Sequence, residues 1–365
     1  MKRIMLAIGP SKEIGGAQKV FITFVREFSR KGYEVTVLVP DASMADFVRD
    51  FNVKTHIIDY SSITCLFKIA TILRNERVEI INTFLTNDSL IISLVNIFYR
   101  IPICCTLLNA IIHEKLNKIQ KLAYPVFYYI LHKMCDGIIV NSEQNKRHFI
   151  ETARIKPDAI KVIYSGIDMN ELLIASGKEK RKDKFAIGII GRLSKEKGHE
   201  YLIKALTHLS EIDYECIIVG DGPLRKRLEE QVENAGLKDR VVFLGYQKHV
   251  GMFMQEMDVI VVPSLNETFG ITIVEAFALK KLVIASEAGG IPEIVKHGET
   301  GLLFPVRDSS ALAERIRYGY NNRRETERIS ENAYDFFVRN FTSSTMADTT
   351  LAYYNLLIKS GTRSK

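Results

Sequence analysis

The sequence predicts an α/β protein made of two doubly wound, Rossmann-like halves, and three observations carry that expectation. Short β-branched runs alternate with longer amphipathic segments, as in "RIMLAIG" followed by "GAQKVFITFVREFSRKG", which is the pattern of βαβ units and a parallel sheet. The rhythm restarts after Gly166, Ile167 and Asp168 with a fresh strand, "FAIGIIG". Between the two runs lies the polar, strongly charged stretch "SGKEKRKDK", which reads as a connection. The expected domains are therefore residues 1–168 and 169–344, and a chain of 365 residues is long enough for both. Such a pair is expected to face across a cleft, because open α/β sheets bind ligands outside the carboxyl ends of their strands.

The elements follow in order. In the first half, strand "RIMLAIG" leads to the helix just quoted, strand "EVTVLVP" to helix "MADFVRDF", and strand "GIIVN" to helix "SEQNKRHFIETA". In the second, "FAIGIIG" leads to helix "HEYLIKALTHLSE", "YECIIVG" to "PLRKRLEEQVENAG", and "RVVFLG" to "KHVGMFMQEM", before strand "DVIVVPS". The terminal segment "STMADTTLAYYNLLIK" carries Leu351, Tyr354, Leu356 and Leu357 at near-helical spacing. It either caps the surface or packs back on the first half; the domain assignment takes the second course for 345–365.

Composition narrows the classes. A hydrophobic content of 47% with 25% charged residues is that of a soluble globular protein. The apolar stretches at 90–98 and 101–108 fall short of the ~20 residues needed to span a bilayer. The opening "MKRIMLAIGPSKE" has an apolar run of only about six residues before Pro10, so it reads as a strand and not as a secretory leader. The five cysteines (Cys65, Cys104, Cys105, Cys135, Cys216) are scattered, without a C-x-x-C, and read as buried free thiols of a cytoplasmic protein. A net charge of +7 suits nucleic acid, an anionic membrane or a phosphate-bearing ligand equally.

Candidate chemistry sits just past the strands. Gly15 and Gly16 open the first helix, where unpaired N–H groups and the helix dipole suit a phosphate; simple turn geometry accounts for them as well. In "GRLSKEKG", Arg192 and Lys197 follow the restart strand and suit a diphosphate, gripped by a planar guanidinium and a point charge. Lys195 reads as a solvated cation. In "VGDGPLR", Gly220 and Gly222 bracket Asp221 in a turn that lines a base pocket or only leads into a helix with Pro223 in its first turn. The stretch "LNETFGITIVEA" places Glu267 in the loop after a buried strand, with a helix expected from Phe269–Gly270 to Lys281. Glu275 then projects among Ile271, Ala278 and Leu279, and a carboxylate on an apolar face needs donors such as sugar hydroxyls.

"IGGAQ", "GRLSKEKG", "VGDGPLR", "VVFLGY", "VPSLNETFGITIVEAFA", "EAGGIPEIV" and "HGETGLLF" stand in the order seen in the GT4-type retaining glycosyltransferases of the GT-B fold, and the chain resembles that family. The resemblance is densest from Gly188 to Phe304 and thinner in the first half, where "IIVNSE" and "IYSGID" support it. It implies that Gly15–Gly16 lies against the donor diphosphate, that Arg192 and Lys197 neutralise that group as it leaves, and that Glu267 bonds hydroxyls of the transferred sugar. The N–H groups of Phe269, Gly270 and Ile271, after Thr268, would lie close to sugar and phosphate; Glu275 would hold the ribose; Val219, Gly220, Asp221 and Tyr246 would frame the base. The implied donor is a nucleotide-diphosphate hexose, a UDP-sugar or a GDP-sugar. The implied reaction is a same-face displacement without a covalent enzyme intermediate. The chain contains no Asp-x-Asp, which fits protein cations in place of a metal, so neither metal nor cofactor is expected.

There is one departure. The family's acceptor-side His at the end of the fourth strand of the first half is replaced in "ICCTLLNAIIHEK" by Leu108 or Asn109, with His113 a few residues on. His113 either returns to the site by a loop shift or is a surface residue beside Glu114. Between 89 and 135, Arg100, Lys115, Lys118, Lys121 and Lys133 face a single acid, Glu114, and are interleaved with Phe98, Tyr99, Tyr124, Phe127, Tyr128 and Tyr129. That mixture suits an anionic membrane interface, and hence a glycan or lipid-linked acceptor met at the inner face of the plasma membrane. It also suits an ordinary half-buried helix pair. A nucleotide-sugar epimerase on the same fold is the rival reading, and a non-catalytic phosphate or nucleic-acid binder a more distant one.

Overall fold

The computed structural model describes residues 1–10, 15–84, 86–108, 118–173 and 184–361. The chain forms two compact units, one of residues 1–166 together with 343–365 and the other of residues 167–342.

The first unit alternates β1 (Arg3–Ile8), α1 (Gly16–Arg30), β2 (Glu34–Val39), α2 (Ala42–Asp46), β3 (Lys54–Ile57), α3 (Thr64–Glu76), β4 (Ile80–Phe84), α4 (Thr86–Asn96), β5 (Ile103–Leu107), α5 (Lys118–Met134), β6 (Gly137–Val140), α6 (Glu143–Ala153) and β7 (Ile160–Val162). All strand pairs are parallel, in the order β3-β2-β1-β4-β5-β6-β7. The central strands β1, β4 and β5 are buried on both faces, which explains their near-continuous apolar sequences. Two of the helices start where the sequence supplies an oxygen: Asp41 accepts from the Met44 N–H and Ser142 from the Asn145 N–H. Right-handed crossovers place α3, α4, α5 and α6 in succession on one face of this sheet. On α1 packs the last helix of the chain.

The second unit runs α7 (Met169–Leu173), β8 (Phe185–Ile190), α8 (His199–Leu206), β9 (Tyr214–Val219), α9 (Arg225–Asn234), β10 (Val241–Gly245), α10 (Gly251–Glu256), β11 (Val259–Val262), α11 (Ile271–Ala278), β12 (Leu282–Ser286), α12 (Ile291–Ile294), β13 (Leu302–Phe304), α13 (Ser309–Asn321) and α14 (Arg323–Asn340). Its parallel sheet has the order β10-β9-β8-β11-β12-β13. One core of β8, β9, β11 and β12 side chains fills the space beneath α8, α9 and α13, with Ile187, Cys216, Val261 and Ile284 fully buried. α15 (Ser343–Gly361) then returns the chain to the first unit. There Tyr354 is buried, and its hydroxyl accepts from Asn82 Nδ2 at 2.5 Å.

Three local expectations change. α11 starts at Ile271 and stops at Ala278, not at Lys281, because Lys280 adopts φ +53° and the Lys281 N–H closes on the Ala276 carbonyl at 2.9 Å. α9 begins at Arg225, with Pro223 outside it, because the Leu224 N–H is held by the Leu193 carbonyl at 3.0 Å. The strand that ends before Leu108 is the fifth of its unit, not the fourth; the short, half-exposed β3 and the strand β4 both precede it. The five cysteines are free, four buried and Cys135 half-buried.

Candidate active site

The order of the second sheet makes β8 and β11 neighbours, with β9 and β10 on one side and β12 and β13 on the other. The order in which strands are added therefore reverses between the parallel β8 and β11, and the crevice at their carboxyl ends is the topological switch point, the usual ligand site of an open parallel sheet. Arg192 and Lys197 lie on the loop after β8, and Glu267 on the loop after β11. The two loops meet there: Lys197 Nζ stands 2.5 Å from Glu267 Oε2, with the lysine side chain a third exposed and the glutamate nearly covered. The Leu265 N–H donates to the Glu196 carbonyl at 2.8 Å, which holds the same loops together by backbone.

Glycines allow this approach. A Cβ on Gly220, at φ +140°, would stand 2.0 Å from the Gly191 carbonyl oxygen, and one on Gly289, at φ +54°, would stand 2.1 Å from that of Glu267. No side chain fits either contact, so the loops after β8, β9, β11 and β12 interlock through bare backbone. Gly220 and Gly222 form a tight turn at the end of β9. Their larger role is to let the β9 loop pack on residues 191–193, where the Leu193 N–H also donates to the Asp221 carbonyl at 2.9 Å.

The remaining predicted residues take the following places. Arg192 is exposed at the rim. Val219 is buried at the end of β9, and the Gly220 N–H donates to the Gly245 carbonyl at 2.8 Å, next to the largely exposed Tyr246. Asp221 is engaged within its own turn: its carboxylate accepts from the Gly222 N–H at 2.7 Å and stands 3.3 Å from Arg225. Thr268 is half-buried, and Phe269 is buried with its ring 5.9 Å from that of Phe341. Gly270, at φ +100°, turns the chain into α11 at Ile271, so the first N–H groups of that helix lie on the Glu267 loop. Glu275 is 4% exposed on α11, a helix in which Val274, Ala276 and Phe277 are also buried.

In the first unit, Gly15 caps α1 and Gly16 begins it; the Gly15 N–H donates to Gln18 Oε1 at 2.9 Å, and the first intrahelical bond is Lys19 N–H to the Gly15 carbonyl. The amides of Gly16 to Gln18 thus precede any i→i−4 partner. Leu108 is buried beyond β5. Asn109, His113 and Glu114 lie outside the described residues.

Sequence reasoning missed His199. It opens α8 two residues after Lys197, is 2% exposed, and among the described residues neither ring nitrogen has a hydrogen-bond partner. Burial, helped by the Lys197 charge, lowers its pKa to about 4. The ring is therefore neutral near pH 7. In "KGHE" nothing distinguishes it from a solvated helix-start residue; only burial does.

A cavity of about 270 Å³ lies elsewhere, against Phe185, Met257, Asp258, Lys281 and Leu282 at the amino edge of the same sheet. It holds none of the predicted residues, and one of its lining charges, Lys280, is already paired with Glu331 at 2.8 Å. The carboxyl edge is the better site on chemical grounds.

Two parallel doubly wound units of this kind are the architecture of the GT-B class, and solved structures agree. HepE of Anabaena, solved with UDP-glucose, superposes with a TM-score of 0.83 at 23% identity over 96% of this chain and 99% of its own. The Glycosyl transferases group 1 profile matches residues 173–336 and the Glycosyltransferase Family 4 profile residues 14–171. The chain belongs to the group 1 glycosyltransferases of the family 4 type. It is 32% identical over 207 residues to an uncharacterized glycosyltransferase of Methanocaldococcus jannaschii, a match over 53% of each protein, so the chain spans about half the length of that relative. It is 26% identical over 362 residues to the O-antigen biosynthesis glycosyltransferase WclY of Escherichia coli, covering 96% of this chain and 97% of WclY.

Proposed function

We propose that the protein is a retaining glycosyltransferase that moves a hexose from a nucleotide-diphosphate donor, a UDP-sugar ahead of a GDP-sugar, to a glycan or lipid-linked acceptor in cell-surface polysaccharide or glycolipid assembly. The observation that carries this reading is the Lys197–Glu267 pair at the switch point of the second sheet. The pair keeps a cation and a carboxylate side by side, each offsetting the other's charge. A donor would separate their tasks: the ammonium turns to the diphosphate, and the carboxylate accepts hydrogen bonds from sugar hydroxyls. Breaking the anomeric bond builds negative charge on the leaving diphosphate, so Lys197 and the rim guanidinium of Arg192 stabilise the transition state more than the ground state. Glu275 is assigned to the ribose, the Tyr246 region to the base, and the amides at the start of α1 and α11 to phosphate and sugar.

The donor assignment draws on HepE, whose structure holds UDP-glucose, and the acceptor assignment on WclY, named for O-antigen assembly. The first unit is assigned the acceptor. Protein cations at the diphosphate make a metal unnecessary in this mechanism. Purified protein given a panel of UDP- and GDP-sugars should release nucleoside diphosphate, with or without EDTA. Lys197→Ala and Glu267→Ala should each lower kcat on the order of a hundredfold, about 3 kcal/mol of transition-state stabilisation. Equal turnover in either variant would refute the assignment, and release abolished by EDTA would refute the metal-free mechanism.

A further inference from the structure

We infer that the outer face of α3, α4 and α5 in the first unit is a docking surface for an anionic lipid bilayer. The opposite layer of this sheet has a cover within the chain, since α15 packs on α1. The outer faces of α3, α4 and α5 have no such cover among the described residues, and large apolar side chains stand out from them. Ile63, at the start of α3, is 77% exposed and Phe67, one turn on, 75%. Leu94 and Ile97 are exposed towards the end of α4, and Phe98 just past it is 88% exposed. α5 adds Val126, Tyr129 and Ile130. α4 touches both its neighbours, and Tyr99 donates its hydroxyl to the Ala70 carbonyl at 2.8 Å, tying the end of α4 to the middle of α3.

Charge selects the occupant. Lys68, Arg74, Arg77, Arg100 and Lys133 are exposed on or beside these helices, with Lys133 lying over the Tyr129 ring at 5.3 Å. The acids on the described parts of the three helices are withdrawn, Asp88 fully buried and Glu76 bound to Lys54, and the exposed acids beside them are engaged: Asp59 by the Ser61 N–H, Glu79 by the Lys2 and Arg3 N–H groups, and Asp136 by the Ile103 N–H. A face that carries bases around its apolar tips repels a second copy of itself. A nucleic acid would satisfy the bases but leave Ile63, Phe67 and Phe98 wet. An anionic interface takes both, with the apolar tips below the headgroups and the bases among them. Among the described residues no helix is long and apolar enough to cross a membrane, so the contact is with the surface.

The face coincides only in part with the one the sequence suggests: Phe98, Tyr129, Arg100 and Lys133 are exposed on it. Tyr124, Phe127 and Tyr128 of α5 pack inward on the core, while Ile63 and Phe67, outside the stretch first singled out, supply the most exposed apolar tips of α3. Lys115 lies outside the described residues, and the side chains of Lys118 and Lys121 are not described.

The chain contains no tryptophan, which gives a direct test on the full-length protein. Phe67→Trp should shift its emission to the blue on adding phosphatidylcholine vesicles that contain phosphatidylglycerol, and not with phosphatidylcholine alone. Tyr318→Trp on the second unit should not respond. In flotation, the wild type should rise with the anionic vesicles and lose them in high salt, and Phe67→Ser with Phe98→Ser should cut the bound fraction about tenfold while the thermal melt stays unchanged. No flotation of the wild type, or equal flotation of the double variant, would overturn the inference. So would a dimer in sedimentation that the double variant dissociates. None of these readouts needs turnover, so a failure here is separable from a failure of the transferase reading.

Discussion

At Lys197 and Glu267 the residue scale decides chemistry, because neither group alone would sit where it does. The lysine lies in a turn, ended by Gly198, that follows one strand, and the glutamate follows another strand; their contact at 2.5 Å exists only because two loops interlock. His199 sets a different condition on the same loop. Its folded pKa of about 4 lies below the ordinary 6.5, so the unfolded chain takes up a proton first as pH falls. The stability this neutral ring provides is whole above pH 6.5 and is lost progressively towards pH 4. The linked change is roughly 3 kcal/mol at most. His199→Phe, which fills the space without titrating, should flatten the difference between denaturation midpoints at pH 7 and pH 4.5 relative to wild type. Parallel pH curves for the two proteins would show that His199 does not contribute it.

Among the elements, α15 carries the clearest energetic signature. It lays Met346, Ala347, Leu351, Tyr354 and Leu357 into the first unit, and the fully buried Tyr354 hydroxyl meets Asn82 there. Asn82 Oδ1 accepts in turn from Thr106 Oγ1 at 2.8 Å, so the bond is one link of a buried chain across β4 and β5. Tyr354→Phe strands the Asn82 amide and should cost roughly 1–3 kcal/mol, read as a lower midpoint in urea with an unchanged slope. A loss below the error of that measurement would mean that water replaces the hydroxyl. The glycine contacts act at this scale too. They let four loops share one edge, which explains why "GRLSKEKG", "VGDG" and "EAGG" all begin or end where strands do.

For the molecule as a whole, the second unit is an insertion: residues 167–342 form it entirely, while the first unit needs both ends of the chain. A fragment of residues 167–342 should therefore fold alone and melt cooperatively. A fragment of residues 1–166 leaves the α1 face without α15 and should not, unless α15 is added back as a peptide. Cooperative melting of the second fragment alone would show that α15 is dispensable to its fold. The sequence by itself determined the α/β class, the restart of the pattern near Gly166, the family motifs in order and the residue types at each strand end, because a period of two giving way to 3.6 and glycines at turns are local properties of a chain. It also placed Glu275 on an apolar helix face by spacing alone. Only the tertiary structure decided that Lys197 meets Glu267 and that Gly289 exists to clear the Glu267 carbonyl. It also showed His199 to be buried, Tyr124, Phe127 and Tyr128 to pack inward, and Ile63 and Phe67 to join Phe98 among the exposed apolar tips. Each of those facts depends on which distant segments are brought into contact, and contact between segments far apart in sequence leaves no periodic trace in either one.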